Sequence, residues 1–476
     1  MKGILIKDII EFTNGHLIGK IDDSFKDELL NKEVKDIVID SRQVNPDSLF
    51  VALKGERVDA HRFIPDTALK TDAILTEESE EEILSQSEKE SLPENKAYIK
   101  VDSTLDAMQD IAAVIRKNYN KPIVGVTGSV GKTTTREMIT TALSSNISVF
   151  HTEGNMNSQI GVPITVSRIN DNPSEAAVLE MGISEPGGMD RLTRMVNPDI
   201  AVVTMIGQAH IEFLKTREGI RDEKLRITGR MNENGALFLN ADDEMLYALK
   251  GKTRVKTFYY GTREDADYRA ENIRFENGYN NYTFVHGDER IEVKLSVLGT
   301  HNVLNSLVAM AVCDYMGLDL SKAAKSFESF VGLRQKIILS DKKYTIIDDS
   351  YNASPDSMKA AINVLRDMNV KGRKIAVLGD MFELGENSRQ YHKDVGIYIA
   401  EQFNSGALDL DELITIGDES KEITDYVKAN TDIKISSFDE KPEASEYIKS
   451  ILKADDVITL KASNGMKFAE IVEALK

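Results

Sequence analysis

The stretch IVGVTGSVGKTTTREM (residues 123–138) restricts what this 476-residue chain can fold into more than any other part of it. A run of apolar, β-branched residues enters a glycine-rich turn, and a helical pattern starts near Gly131. Strand, turn and helix in that order belong to an α/β sheet with an anion nest at a strand end. Gly125, Gly128 and Gly131 leave backbone amides free to converge without Cβ obstruction. The helix start adds unpaired N–H groups and about half a unit of positive charge. Thr127, Ser129 and Thr134 flank those amides, Lys132 is placed to reach outer phosphates, and Thr133 is placed to ligate Mg2+. The strict G-x-x-x-x-G-K-[ST] spacing requires glycine at 126, where Val126 stands; the chain fits G-x-x-G-x-x-G-K-T instead. ATP with Mg2+ is the expected ligand pair, and an incidental strand-to-helix turn is the competing reading.

Around this loop the chain divides into three blocks, as its length predicts. Residues 1–103 alternate short strands and end in the acidic run TEESEEEILSQSEKESLPEN, which reads as a solvated helix and loop. LDAMQDIAAVIRKNYN (105–120) has helical spacing and reads as a connecting helix. Residues 104–330 carry the apolar strands IVGVTG, AAVLEMG, DIAVVTMIG and GALFLNA, then a β-rich stretch from about 253 to 298. Residues 331–476 alternate again through YTIIDD, KIAVLGD, ELITIG and DDVITLKA. The expected fold is α/β in three domains: a small N-terminal α/β domain, a central ATP-binding domain with a mostly parallel sheet, and a C-terminal Rossmann-like domain.

A formal net charge of −19 gives no electrostatic reason to bind nucleic acid or an anionic membrane over a broad face. The single cysteine, Cys313, excludes an internal disulfide framework and any multi-cysteine zinc site. The opening MKGILIKDIIEFTNGHLIG carries Asp8 and Glu11 and does not read as a signal peptide, and no run approaches the length of a transmembrane helix. The expectation is a cytoplasmic monomer without membrane insertion.

The longer loop spacing, with DDSYNASPDSM (348–358) and LGDMFELGENSRQYH (378–392), resembles the Mur ligase superfamily, the ATP-dependent amino-acid ligases of peptidoglycan precursor synthesis. The resemblance runs over nearly the whole chain. It implies a ligase that activates a carboxylate as an acyl phosphate and releases ADP and phosphate. The two later motifs resemble the member whose substrates are UDP-N-acetylmuramoyl-tripeptide and D-alanyl-D-alanine. Another acceptor on the same scaffold, or a non-catalytic nucleotide-binding paralogue, are the alternatives.

Site residues follow by position. Glu180 ends an apolar strand, where a carboxylate is expensive unless it meets a cation, and the resemblance makes it a magnesium ligand. His210, in IGQAH, is by itself more simply a structural histidine; the resemblance places it at the second magnesium. Lys224, in TREGIRDEKLRI, reads as a lysine on a solvated helix face, whereas the resemblance implies a catalytic, carbamylated lysine whose anionic carbamate ligates or orients that metal. Lys132, His210 and Lys224 are the expected catalytic set.

HTEGNMNSQIGVP (151–163) resembles the family's stretch beside the substrate, with Asn155 and Asn157 matched and Ser158 departing from it. Asn302 matches the adenine-edge position, Arg334 the arginine packed on the nucleotide, and Asp349, Tyr351 and Asn352 the ribose and nucleotide side. Asp348 precedes these, and Ser354 replaces a common asparagine. Lys461 and Ser463 keep a C-terminal pattern from which Ala462 and Asn464 depart. In DSRQVNPDSLFVALKGERVDAH (40–61), Ser41 and Arg42 match the uridine-nucleotide region, with Ala60 at a common glycine position.

Overall fold

The computed structural model describes residues 1–55, 58–276, 278–332 and 334–476. Three sheets follow one another along the chain. The first has the strand order His16–Ile18, Ala97–Lys100, Ala73–Thr76, Ser48–Val51, Asp36–Val38; all neighbours are parallel except the first pair. The second runs Glu289–Leu295, Tyr279–His286, Tyr268–Glu276, Lys256–Gly261, Ala236–Asn240, Ile200–Val203, Ile123–Thr127, Ala176–Glu180, Val149–His151. It is parallel from Val149–His151 as far as Tyr268–Glu276, and its last two strands are antiparallel. The third has the order Lys336–Leu339, Thr345–Asp348, Val457–Lys461, Lys374–Gly379, Glu412–Ile416, Lys434–Phe438, with only the first pair antiparallel.

These are the mostly parallel α/β sheets read from the apolar runs. The antiparallel edge strand Lys336–Leu339 escaped that reading because three of its four residues are exposed and its composition is mixed. The acidic run folds as the short helix Glu80–Ser85, where Ser79 and Glu82 form a capping box.

The connecting helix is Thr104–Lys117. The Ser103 side chain accepts from Asp106 N at its start, and Ala107, Met108, Ile111, Ala112 and Ile115 make one buried stripe. That stripe packs on the Gly161–Ser167 and Gly188–Val196 helices of the second unit. Each aliphatic side chain so buried contributes roughly 1.5–3 kcal/mol before conformational entropy is subtracted. One continuous apolar cluster therefore runs from Met1 through this helix to Ala266, joining the first two sheets. The third sheet has two clusters of its own, one on each face; Leu298 and Phe275 are the central side chains that reach into one of them.

The Ile123–Thr127 strand is where the second sheet changes direction. The chain winds outward to Val149–His151 on one side, then crosses to Ile200–Val203 on the other. Ligands of open α/β sheets settle in the crevice beyond the carboxyl end of such a strand. The glycine loop lies there.

Candidate active site

Gly128 has φ 150° and lies so close to Thr204 that an added Cβ would fall 1.9 Å from its Oγ1. Gly131 caps the Lys132–Ser144 helix with φ 86°. Only glycine holds both conformations without strain, and together they turn the chain sharply into the helix. Ser129, Gly131, Lys132, Thr133 and Thr134 line a cleft of about 690 Å³. Gly125 does not. It is a mid-strand residue paired with Leu179 and Ala201, and a Cβ there would press on Met181 and Pro198 at 3.0 Å. Gly125 thus serves sheet packing rather than the anion nest, a correction to its expected role. Thr127 likewise faces inward, with Oγ1 donating to Met181 O at 2.8 Å.

Lys132 Nζ crosses the loop and donates to Gly128 O (2.9 Å) and Ser129 O (3.3 Å). Burial lowers its pKa; Glu180 opposes the shift and Arg334 adds to it. Glu180 is fully buried at the end of its strand. Its Oε1 accepts from Thr133 Oγ1 (3.1 Å) and Asn157 Nδ2 (2.6 Å). Among the described residues its Oε2 has no hydrogen-bond partner, and it lies 3.7 Å from Arg136 Nε. A buried carboxylate with one oxygen unmet, touching the helix-start threonine, is the donor set a hard divalent cation takes. The residues fit the ion.

Lys224 contradicts its solvated-face reading. The Arg217–Leu225 helix turns it fully inward, and its Nζ is buried without a hydrogen-bond partner among the described residues. Burial, reinforced by Lys132, holds its pKa well below the usual lysine range, with Glu223 opposing. Sequence spacing could not show this, because the helix is polar overall and its buried face carries charged residues. His210 has φ 64° at the start of the Ile211–Leu214 helix, and its Nδ1 lies 2.7 Å from Glu383 Oε2 of the third unit.

The third unit supplies the opposite wall. Arg334 donates to Thr133 Oγ1 at 2.8 Å, and its guanidinium carbon sits 3.2 Å from the centroid of the Tyr351 ring. Lys461 Nζ donates to Asp349 Oδ2 (2.7 Å) and Asn352 O (3.1 Å), so it fixes the turn carrying Asp349, Tyr351 and Asn352. Burial raises the Asp349 pKa against the pull of Lys461. Ser354 and Ser357 cap the Pro355–Asp367 helix.

Asn302 lines the cleft with one amide proton on Leu298 O (2.6 Å) and its carbonyl accepting from Asn305 (3.1 Å). A second amide proton and a second lone pair remain for a ligand. Asn155 and Asn157 also line it. Ser41 and Arg42 do not belong to it. Arg42 is exposed and paired with Asp40 at 2.7 Å, and the neighbouring Glu56 and Arg57 lie outside the described residues.

The departures from the family pattern are locally accommodated. Ala60 begins a single 3₁₀ turn without positive φ, so glycine is not required there. Ser158 Oγ accepts from Gly161 N at 3.3 Å. Three residues that sequence reasoning missed complete the site: Arg136, Glu383, and Asn305, whose Oδ1 accepts from Thr135 Oγ1 at 3.0 Å.

Residues 126–313 match the Mur ligase middle domain, 334–464 the Mur ligase glutamate ligase domain, and 33–116 the Mur ligase family catalytic domain. The UDP-N-acetylmuramoyl-tripeptide–D-alanyl-D-alanine ligase of Bacillus subtilis is 36% identical, covering 96% of this chain and 98% of that protein. The Escherichia coli protein of the same name is 30% identical over 92% and 93%. A crystal structure of MurF from Acinetobacter baumannii is similar at TM-score 0.86 and 26% identity, covering 99% and 98% of the two chains. A Thermotoga maritima MurF ligase in complex with ADP is similar at TM-score 0.78 and 29% identity, covering 93% and 97%. With its three units each matched and its whole length shared with these proteins, the chain belongs to the Mur ligase family.

Proposed function

We propose that this protein is an ATP-dependent ligase that joins D-alanyl-D-alanine to UDP-N-acetylmuramoyl-tripeptide in peptidoglycan precursor synthesis. The observation that carries the reading is one cleft walled on one side by the glycine loop, Glu180 and His210 and on the other by Arg334, Asp349 and Tyr351. The choice of substrates rests on the name shared by relatives that span nearly the whole chain. ATP supplies the phosphoryl group that converts the terminal tripeptide carboxylate into an acyl phosphate; the dipeptide amine then displaces phosphate. Thr133 and Glu180, with His210 and Lys224, would hold magnesium, which when bound would supply positive charge against the phosphates.

The chain's own residues do the rest. The amides of 128–133 and the Lys132 ammonium orient the phosphates and stabilise charge in transfer. Asn155 and Asn157 orient the tripeptide. Arg334 and the Tyr351 turn close over the nucleotide and exclude water from the reactive acyl phosphate. Lys224, whose charged form burial disfavours, is chemically able to take up CO2 as a carbamate through its neutral amine. Ser41 and Arg42 are assigned to the uridine end of the long substrate, away from the cleft. The site of action is assigned to the cytoplasm; no helix among the described residues is long and apolar enough to cross a membrane.

The deciding experiment is phosphate release with each acceptor in turn. Release that needs both the tripeptide nucleotide and D-alanyl-D-alanine is expected. Release with a different amino-acid acceptor assigns another reaction of the family, and release with none ends the enzymatic reading. Lys224→Ala is expected to lower turnover about 10²-fold or more at saturating ATP and Mg2+; ordinary turnover would remove Lys224 from the site.

A further inference from the structure

Arg136 is among the largest fully buried side chains in the protein, and the proposed chemistry does not use it. It leaves the Lys132–Ser144 helix one turn after Lys132. Its Nη1 donates to Thr152 O, and its Nη2 donates to Gly154 O at 3.2 Å. Among the described residues its Nε has no hydrogen-bond partner and faces the equally unpartnered Oε2 of Glu180 at 3.7 Å. The other carboxylate beside it is Glu137, at 3.4 Å from Nη2.

The contacts close a ring. From Arg136 they pass to the main chain at 152 and 154, along the loop to Asn157, from Asn157 Nδ2 to Glu180 Oε1, and from Glu180 Oε2 back to Arg136. The loop is anchored at its ends by Thr152 N on Val178 O (3.1 Å) and by Gly182 N on Asn157 O (2.8 Å). Between those anchors Glu153, Gly154 and Asn155 are exposed, and Arg136 is the side chain that holds Gly154 O. A planar guanidinium can bind two carbonyls at once and still present an N–H edge to a carboxylate; an ammonium has a single centre and cannot span them.

We propose that Arg136 is a positioning residue with two effects: its fork sets the main chain of the loop bearing Asn155 and Asn157, and its charge sets how strongly Glu180 draws a divalent cation. The inference rests on the ligase reading for the identity of the ligands, but not for the ring itself. An uncharged residue at 136 leaves Glu180 less neutralised, so the cation site gains attraction while the loop loses its hold.

The test compares full-length wild type, Arg136→Lys and Arg136→Met. Three readouts are taken: amide exchange at 153–157, binding of UDP-N-acetylmuramoyl-tripeptide without ATP or metal, and binding of Mn2+ alone. Both variants are expected to exchange about tenfold faster at 153–157 and to bind the tripeptide nucleotide about tenfold more weakly. Any fall in turnover at saturating substrate should be smaller than the rise in KM, so the loss falls mainly on KM. Arg136→Lys should keep Mn2+ affinity within about twofold, whereas Arg136→Met should bind Mn2+ severalfold more tightly.

Wild-type exchange and affinity in Arg136→Lys would overturn the fork, and unchanged Mn2+ affinity in Arg136→Met would overturn the charge effect. Should Arg136→Met not fold, Arg136→Lys decides the fork. Mn2+ affinity of Arg136→Gln, which keeps polarity without charge, then decides the second effect by the same criterion. A wild type that fails to bind the tripeptide nucleotide, with exchange still responding as expected, would sink the substrate assignment and leave the positioning role standing.

Discussion

The two seams of this molecule are built from different materials. Between the first and second units the join is apolar: the Thr104–Lys117 helix lays Met108, Ile111 and Ile115 into the second unit, and one cluster spans both. Polar contacts accompany it, among them Arg168 on Asp36 and the N-terminal amine on Asp171, each at 2.8 Å, and the buried Gln109 on Gln159. Between the second and third units the join at the cleft is polar: Arg334 on Thr133, His210 beside Glu383, and the Asp356 carboxylate against Gly207. Burying apolar area stabilises by tens of calories per Å², whereas exposed or hydrated polar contacts contribute little net free energy each. The first seam is therefore a weld and the second a catch. A ligase of this design has reason for both, because the long substrate needs a rigid base and the reactive intermediate needs a wall that opens to admit and release ligands.

The largest effect is expected at the weld. Ile111 is fully buried in the shared cluster, so Ile111→Asp places an unpaired carboxylate there and should destabilise by about 4 kcal/mol or more. In calorimetry the first two units should melt together at a much lower temperature, while the third keeps a transition near its wild-type position. Independent melting of the first and second units in the wild type would break the comparison. At the catch the balance reverses. Arg334→Ala should lower turnover by about 10²–10³-fold, or roughly 3–4 kcal/mol of transition-state stabilisation. Its unfolding free energy should stay within about 1 kcal/mol of wild type in urea titration. A large loss of stability with intact turnover would make the second seam a weld as well.

The sequence was legible to different depths in these regions. Parallel strands declare themselves through unbroken apolar runs, and the glycine loop through conformations that only glycine tolerates; those signals are local. The fold class follows from them. Lys224 and Arg136 were opaque for the opposite reason. Arg136 faces Glu180, a carboxylate supplied from a distant strand, and Lys224 is buried within reach of the charge on Lys132; nothing near position 136 or 224 announces either neighbour. Gly125 misled in the same way: it stands in register with the loop glycines, yet the pressure on it comes from Met181 and Pro198 across the sheet. His210 was picked out only through the family resemblance, and its neighbour Glu383 belongs to a motif 173 residues further along and is met only when the third unit is in place.

The smallest effect sharpens the comparison through pH. His301 lines the cleft on the second unit, and its pKa is pushed down to about 4, first by burial and then by Lys461 of the third unit. Its unfolded value is near 6.5, so between these limits the unfolded chain binds a proton that the folded one refuses. Stability from this group is complete above pH 6.5 and is lost as pH falls toward 4, by about 1 kcal/mol per pH unit given the partial exposure of the ring. The proton that finally binds is placed beside the Lys461 ammonium, so acid acts on the catch and leaves the weld untouched. Urea titrations at pH 7, 6 and 5 should show this slope in the wild type and a flatter one in His301→Gln. Limited proteolysis at pH 5 should cut between the second and third units of the wild type before it cuts between the first and second. Equal slopes in the two proteins, or first cleavage at the apolar join, would mean that the two seams do not differ in the way their residues imply.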